Sequence, residues 1–585
     1  MDKIFPPYLH FSFCIRKVVS LSRLTPCAFI RLTPHDLRLT VFGMLRTFIF
    51  ITSYFLLAIS LESCSGGGGG DGGGGVGTAP APQYSISGGV TSGGSGLEGT
   101  TMTLTGAGSA STITDSNGAF QLTGLNSGSY TITPSKAGYT FNPINSAVTV
   151  SNANIAGQDF VATLMTWAKA YGGGNKDVAH SIQQTSDGGF IVAGETSSFG
   201  AGNSDVWVLK LNGDGNTDWQ KVYGGIYDDI AHSIQQTSDD GYILAGETSS
   251  FGVGINDTDI WILKLDKDGI MQWGNRYGGG GNWRAYSIQQ TSDRGYIVAG
   301  ETNYFESNSD ALVFKLKENG EIDWLRTYGA SNADVANSVQ KTEDGGFIVA
   351  GETRSFGAGG ADIWVLKLKD NGDVAWQETF GGNKDDTAYS AQQTSDGKYF
   401  IIAGGATPAG SIFNDVFLLK LDTNGTVVWD FTYGGSNNDV AFSVQQTSDG
   451  GFVIAGKTSP DPINSDMWVL KLDSDGGVVW QQTYGGQGSH SANFVRQNLD
   501  GGYIVAGETS LGAGDADVWV LKLDGNGNIG GGCPVVGISN VAGVSAGFNG
   551  AKTLVAPNDA TVVPNPTSTS SLDSNVTPTI QCSFP

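Results

Sequence analysis

Five residues of this 585-residue chain depart from an internal repeat and carry side chains suited to binding. Trp283, Arg284, Tyr304 and Phe305 occur in the third copy of the repeat, and His490 occurs in the seventh. An aromatic platform with an arginine beside it can stack a sugar or dock a peptide. We therefore predict a candidate binding face at these residues, with drift in a surface loop as the alternative explanation.

Two repeat positions show where the copies differ. Trp283 and His490 replace an Asp that the other five copies keep, at Asp177, Asp229, Asp334, Asp386 and Asp439. Gly405 and Lys457 replace a Glu that the other five copies keep, at Glu195, Glu247, Glu301, Glu352 and Glu508. We expect the Asp position to lie in a loop and the Glu position to end a strand on the same side of the fold, where binding residues usually lie.

Signals for catalysis and metal binding are weak. Only His180, His232 and His490 fall in the repeats, at no spacing typical of a zinc site, and no nucleophile stands beside a base. Turns such as 266–269 (Asp-Lys-Asp-Gly) offer alternating oxygen ligands, but they lack the distal acid of a calcium loop, and Asp-Gly is also what a tight hairpin needs. We predict no catalytic residue, no metal ligand and no cofactor, with Ca²⁺ as a minority alternative.

The repeat itself predicts the fold. A Trp recurs every 51 to 54 residues, at Trp167, Trp219, Trp273, Trp324, Trp376, Trp429 and Trp480. Each copy has four strand-like segments, in the first copy at 180–185, 189–196, 205–211 and around Trp219. Seven such copies predict a seven-bladed β-propeller over residues 164–530. The last copy lacks a fourth strand, so the strand at Trp167 should complete it and close the ring.

Two resemblances extend this all-β prediction. The repeat resembles those of propeller proteins found in bacterial surface and secreted proteins. Residues 83–163 contain short alternating segments and motifs such as Asp115-Ser116-Asn117-Gly118 and Gly138-Tyr139. They resemble the carboxypeptidase regulatory-like domain, which implies a small β-sandwich acting as a non-catalytic spacer or adhesion unit before the propeller.

The N-terminal region indicates export. Residues 44–63 comprise a basic start at Met44, an apolar run and Leu61-Glu62-Ser63-Cys64, which resembles the lipobox of bacterial lipoproteins. The resemblance implies a signal peptide and a lipid, such as palmitate, on Cys64. Residues 64–82 form a glycine-rich linker, and residues 1–43 are expected to be an over-extended start. Ser65 resembles the outer-membrane sorting signal, so we expect a cell-envelope location, in the outer membrane.

Two further features concern the tail and the partners. Cys533 and Cys582 flank the C-terminal tail, residues 531–585, and in an oxidising compartment they are expected to form a disulfide. The net charge of −24 comes from 56 acidic and 32 basic residues and argues against a nucleic-acid partner.

These observations favour a non-catalytic cell-envelope lipoprotein. It would be held at the membrane through its lipid anchor and would present the propeller to an envelope protein or a glycan. The alternative is a periplasmic or surface enzyme, hydrolase or quinoprotein-like, that uses the asymmetric loops, with calcium or a quinone as its cofactor.

Overall fold

The computed structural model describes residues 82–136, 138–252, 257–303, 308–459, 463–512 and 514–530, together with five short strands between 536 and 583. The described residues form strands and turns, and no helix occurs among them. None of these ranges therefore supplies an apolar helix of membrane-spanning length. The predicted all-β class is confirmed.

The first described region is a β-sandwich. Its strands are β1 Tyr84–Ser92, β2 Ser95–Gly96, β3 Thr101–Gly106, β4 Ala110–Ile113, β5 Ala119–Leu125, β6 Gly128–Ser135, β7 Tyr139–Asn142, β8 Ser146–Val150 and β9 Phe160–Leu164. One sheet has the order β2-β1-β9-β7, with β5 also on β1, and the other has the order β4-β3-β6-β8. Apolar residues of both sheets, including Ile86, Met102, Phe120 and Ile132, form one buried core, so alternate positions of each strand face inward.

The sandwich has two distinct ends. Strands β1 and β9 run parallel, with Val90 beside Phe160, so Tyr84 lies roughly 30 Å along the strand direction from Leu164. The Leu164 end leads directly into the repeats. There the Tyr139 hydroxyl donates to the Asp500 carbonyl at 3.4 Å, which ties the sandwich to the last repeat.

The repeats form seven antiparallel sheets, each with four strands from the repeat region. Their strands are β10 Trp167–Tyr171; β11 Asp177–Gln184, β12 Phe190–Thr196, β13 Asp205–Leu211, β14 Thr217–Tyr223; β15 Asp229–Gln236, β16 Tyr242–Thr248, β17 Asp259–Leu265, β18 Met271–Tyr277; β19 Trp283–Gln290, β20 Tyr296–Thr302, β21 Asp310–Leu316, β22 Ile322–Tyr328; β23 Asp334–Lys341, β24 Phe347–Thr353, β25 Asp362–Leu368, β26 Val374–Phe380; β27 Thr387–Gln393, β28 Tyr399–Ala406, β29 Asp415–Asp422, β30 Val427–Tyr433; β31 Asp439–Gln446, β32 Phe452–Thr458, β33 Asp466–Leu472, β34 Val478–Tyr484; β35 His490–Gln497, β36 Tyr503–Thr509 and β37 Asp517–Leu523. Sheets one to six each take four consecutive strands, from β11 to β34, and sheet seven consists of β35, β36, β37 and β10.

Consecutive sheets pack face to face. The second and third strands of each sheet are apolar on both faces, as in the run Phe347-Ile348-Val349-Ala350, because neighbouring sheets cover both sides. The third-strand Trp side chains, such as Trp207 and Trp364, are buried in these cores, as packing residues should be.

The fourth-strand Trp residues reach the hairpin of the next sheet. The Trp324 indole donates to the Asp370 carbonyl at 2.9 Å. In that hairpin Gly372 has φ +83° and lies so close to the ring that a Cβ atom would be 2.9 Å from Trp324. The repeated Asn-Gly and Asp-Gly turns therefore serve both the hairpin and the contact between sheets.

The first and last repeats are joined, as the sequence predicted. Strand β10 pairs antiparallel with β37, from Trp167 opposite Lys522 to Tyr171 opposite Val518. The first strands β35 and β11 also meet: the Asn493 amide donates to the Ala179 carbonyl at 2.9 Å, and the Leu499 N–H donates to Gln184 Oε1 at 3.0 Å. Sheets one and seven are thus neighbours.

A series of side-chain hydrogen bonds links the other first strands. The side-chain oxygen Oε1 of Gln183 accepts the backbone N–H of Gln236 in the next sheet at 2.7 Å. The same bond recurs at each step from sheet one to sheet seven. Between sheets seven and one the Gln position holds Arg496, whose side chain has no acceptor atom.

The C-terminal tail adds short strands to the outer edges of five sheets. They are β38 Val536–Gly537, β39 Ala551–Lys552, β40 Asn558–Asp559, β41 Asn565–Pro566 and β42 Thr579–Ser583. They pair with β34, β26, β22, β18 and β10 respectively, so the tail passes from sheet six back through sheets four, three and two to sheet seven. The predicted disulfide lies outside the description, because Cys533 and the side chain of Cys582 are not among the described parts.

Removing the tail should expose these edges. A chain that ends at Gly530 keeps the hydrogen bond from its N–H to Thr166 Oγ1 but loses β38–β42. Exposed strand edges promote pairing between molecules, so we expect the truncated protein to self-associate at concentrations where the full chain stays monodisperse. Size-exclusion chromatography with light scattering measures this. A truncated chain with the mass of a monomer would contradict the prediction.

Candidate functional site

The predicted binding face is not assembled as expected. Trp283 and His490 are the first residues of β19 and β35, and both side chains are 0% exposed. Arg284 is 37% exposed. Tyr304 and Phe305 lie outside the described residues, as does the predicted lipid site Cys64. The prediction that Trp283 and His490 lie in exposed loops is wrong, because the first strand begins earlier than its hydrophobic pattern suggested.

The position that Trp283 and His490 occupy belongs to a buried junction between sheets. In most copies it holds an Asp that meets the first Asp of the preceding sheet's third strand, as Asp229 meets Asp205. A Cβ atom at Gly224 would be 1.8 Å from Asp205 Oδ1 and 2.8 Å from Asp229 Oδ2, so only glycine fits between the two carboxyl groups. Burial, together with the charge of Asp229, raises the pKa of Asp205 to about 6.

At the two exceptional junctions a different side chain replaces the Asp of the first strand. Where Trp283 replaces it, Arg276 forms an ion pair with Asp259, the Asp that remains. Where His490 removes it, the imidazole packs beside Asp466 and its Nδ1 lies 2.8 Å from Thr509 Oγ1. These departures from the repeat are therefore explained by packing between sheets.

A different set of residues faces a common cavity. A cavity of about 310 Å³ is lined by residues from the first strands of all seven sheets. In each first strand the register shifts by one residue directly after an Ala, at the fourth residue of six strands and the third of β27. That position is a β-bulge, which redirects its side chain. The seven bulge residues all line the cavity: His180, His232, Tyr286, Asn337, Tyr389, Phe442 and Asn493.

The bulge residues form two aromatic groups separated by asparagines. The rings of His180 and His232 are 5.2 Å apart, and those of His232 and Tyr286 are 5.3 Å apart. Tyr389 and Phe442 form an edge-to-face pair at 5.3 Å. The amides of Asn337 and Asn493 each donate to a carbonyl of the next sheet at 2.9 Å, which fixes their orientation.

Glutamates of the second strands contact His180, His232 and Tyr286 on the side away from the cavity. Glu195 lies 2.6 Å from Lys176 and 3.8 Å from His180, and although burial opposes it, hydrogen bonds to these groups lower the pKa of Glu195 to about 2. Burial also lowers the pKa of His180.

Arg284 joins two of these glutamates. Its Nε lies 2.6 Å from Glu247, and its Nη1 lies 3.2 Å from Glu301, which also accepts the Tyr286 hydroxyl at 2.7 Å. Glu247 lies 3.5 Å from His232. Arg284 is thus engaged with the protein, and it orients two of the bulge residues through their carboxylate partners.

A second layer of the cavity lies further along the strands. It consists of a Ser from each of six sheets and a Gln from five of them, but sheet seven supplies Phe494 and Arg496. The Arg496 guanidinium lies over the Phe494 ring at 4.1 Å and donates to the Val495 carbonyl at 2.9 Å. Burial lowers the pKa of Arg496 to about 10, so the group stays positively charged at neutral pH.

The Asp side chains of the acidic hairpins accept hydrogen bonds from backbone N–H groups of their own turns. Asp266 Oδ1 accepts the N–H groups of Asp268 and Ile270, each at 2.9 Å, which is the role of a turn cap. Within the described ranges, no group of three or more His, Cys, Asp or Glu side chains is arranged to hold a metal ion.

The sequence contains a signal for the cavity. The bulge position lies between an Ala that all seven copies keep and a Ser that six of them keep, so it is the variable member of a repeated motif. Spacing argued against His180 and His232 as metal ligands but carried no information on a cavity. Alternation along a strand predicts one face for this position, whereas the bulge turns its side chain into the cavity.

Comparison with known proteins matches one part of the chain. Residues 83–163 match the family model described as BOS complex subunit NOMO1-like, second beta sandwich domain. This agrees with the sandwich observed there, and it is a different family from the carboxypeptidase regulatory-like one that the motifs resemble. A search of the curated proteins finds no match to this chain.

Three solved structures show distant likeness. Sqt1 from Chaetomium thermophilum is 12% identical, over 58% of this chain and 81% of that chain, with a TM-score of 0.36. A eukaryotic initiation factor is 10% identical, over 54% and 96%, with a TM-score of 0.26. BcpA, the major pilin subunit of Bacillus cereus, is 11% identical, over 61% and 97%, with a TM-score of 0.14. At such TM-scores these likenesses carry no argument about fold or function.

Proposed function

We propose that the seven sheets form a closed seven-bladed β-propeller and that the cavity is its central channel. Three observations support this: β10 completes the seventh sheet, Asn493 and Leu499 bond across to the first sheet, and all seven first strands line one cavity. The propeller resemblance of the repeat points the same way.

The function that this cavity supports best is binding of a glycan by a non-catalytic cell-envelope lipoprotein. The observation that carries it is the set of bulge residues, in which two groups of His, Tyr and Phe rings are separated by oriented Asn amides. Aromatic faces stack on the C–H faces of sugars, while amides bind hydroxyl groups, and a small set of fixed polar groups gives specificity.

The sandwich suits a spacer in such a protein. It contacts the turn at Asp500, which follows the C-terminal end of β35, whereas the glutamates lie toward the N-terminal ends of the first strands. Its own first strand begins at the end remote from the repeats. With a lipid on Cys64 and an outer-membrane location, both part of this proposal, the spacer would hold the channel at a distance from the membrane.

The test replaces two aromatic bulge residues with Asn, the residue that sheets four and seven already carry at the bulge position. A Tyr389→Asn and Phe442→Asn double variant should keep the fold and bind oligosaccharides at least about 10-fold more weakly, a loss of about 1.4 kcal/mol. Tyr227→Asn is the matched control, because Tyr227 is 51% exposed and does not line the cavity.

The measurement is binding to an array of bacterial cell-surface oligosaccharides, followed by calorimetry on those retained. If the wild-type protein binds none of the oligosaccharides, or the double variant binds them as the wild type does, the glycan proposal fails. Capture of an envelope protein in their place would favour the protein-binding alternative.

A further inference from the structure

The charge of the channel lining is opposite to that of the protein. The whole chain carries a net charge of −24. Yet among the described residues that line the cavity there is no Asp or Glu, while the positively charged guanidinium of Arg496 faces it. The glutamates near the bulge residues lie behind that lining and are engaged by Lys176, Arg284 and the histidines. A positive lining within an acidic protein favours an anionic ligand.

Arg496 is the centre of this charge. In the six other sheets its position holds a Gln that accepts a hydrogen bond from the following sheet. Arginine cannot accept that bond, so the substitution weakens the link between sheets seven and one rather than strengthening it. Packing between the sheets therefore gives no reason for an arginine here.

The surroundings of Arg496 leave its charge available. It stacks on Phe494 and uses Nη1 for the Val495 carbonyl. No carboxylate within the described ranges forms an ion pair with it. The guanidinium is planar and presents paired N–H groups that match a carboxylate. Arg496 lies three residues beyond the bulge residue Asn493, roughly 10 Å along the strand.

We propose that the channel binds a saccharide bearing a carboxylate, a uronate, with the carboxylate on the Arg496 guanidinium and the sugar ring against the bulge residues. This rests on the proposed glycan-binding function and names its ligand class. The distance of roughly 10 Å between the two layers corresponds to one or two sugar units.

The repeat supplies both the variant and its control. Arg496→Gln installs the residue that six sheets already have, so it should fold and regain the bond to Gln184. Lys341→Gln is the matched control: it also installs the residue of the other six sheets and removes one positive charge, but Lys341 is exposed and does not line the channel.

The probes are sodium D-glucuronate, D-glucose and sodium acetate, measured by calorimetry and thermal shift on the full folded protein at constant ionic strength. We expect wild type and Lys341→Gln to bind glucuronate at least 10-fold more tightly than glucose, and Arg496→Gln to lose this preference. Retention of the preference in Arg496→Gln overturns the inference.

The outcomes separate this inference from the proposed function. Equal binding of glucuronate and glucose by the wild type leaves glycan binding standing and overturns the carboxylate site. Stabilisation of wild type but not of Arg496→Gln by acetate, with no sugar bound, supports the carboxylate site and rejects the glycan. If neither the sugars nor acetate have an effect, both are overturned.

Discussion

Replacing Ala168 with proline is expected to lower the free energy of unfolding by about 3 kcal/mol, because it removes a ladder hydrogen bond and leaves a buried acceptor unsatisfied. Ala168 is the second residue of β10, is fully buried, and stands between Leu521 of β37 and Cys582 of β42. Proline removes a backbone donor and cannot be accommodated in a central strand. The loss should be large because β10 is the connection between the two ends of the repeat array.

The matched control is Ala168→Gly, which removes the methyl group but keeps the N–H. It should cost only about 1 kcal/mol. Urea-induced unfolding followed by tryptophan fluorescence compares both variants with the wild type. Equal losses for the two variants would show that the pairing of β10 does not stabilise the protein.

The second large effect concerns pH. Burial, together with a facing Asp of the next sheet, raises the pKa of Asp205 and Asp362 from 3.8 to about 6. Each folded carboxyl group therefore binds its proton more tightly than the unfolded one. The free energy of unfolding should fall as the pH rises from about 4 to above 6, by about 1–2 kcal/mol for each group once solvent screening is allowed for.

A single substitution isolates one of these groups. Asp205→Asn keeps an oxygen for the N–H groups of Ala201 and Gly202 and removes the charge, so the loss of stability between pH 4 and pH 7 should shrink by about 1–2 kcal/mol. Asp268→Asn, at an exposed turn, is the control and should keep the wild-type pH dependence. Denaturant titrations at several pH values measure this. A wild-type pH profile in Asp205→Asn would contradict the prediction.

The repeated features of the fold could be predicted from sequence because they are local. The spacing of Trp and Asp-Gly turns gave the strands and hairpins, and the absence of a fourth strand after Leu523 predicted the role of β10. The burial of Trp283 and His490 could not be predicted, because these residues pack at junctions with Asp259 and Asp466 of the preceding sheets. A single sequence does not show that these positions face each other.

The site was harder to predict for a related reason. The bulge that turns His180 and Tyr389 into the cavity is one extra residue against a neighbouring strand, and no residue type signals it. The alternation of polar and apolar residues was a guide to the sheet faces but not to the cavity. The replacement of Gln by Arg496 is visible when the seven copies are aligned in sequence, but only the structure shows that this position lines the cavity.

The pairing of β10 with β37 also has a consequence for the timing of synthesis. The two strands are about 350 residues apart, and β10 is made first. At roughly 5–20 residues per second its partner follows on the order of 20–70 s later. During that interval a strand that ends up fully buried, with Trp167 and Tyr171 at its ends, has no partner. A growing chain should therefore need protection most at this strand, and proteases or chaperones acting on incomplete chains should act there first.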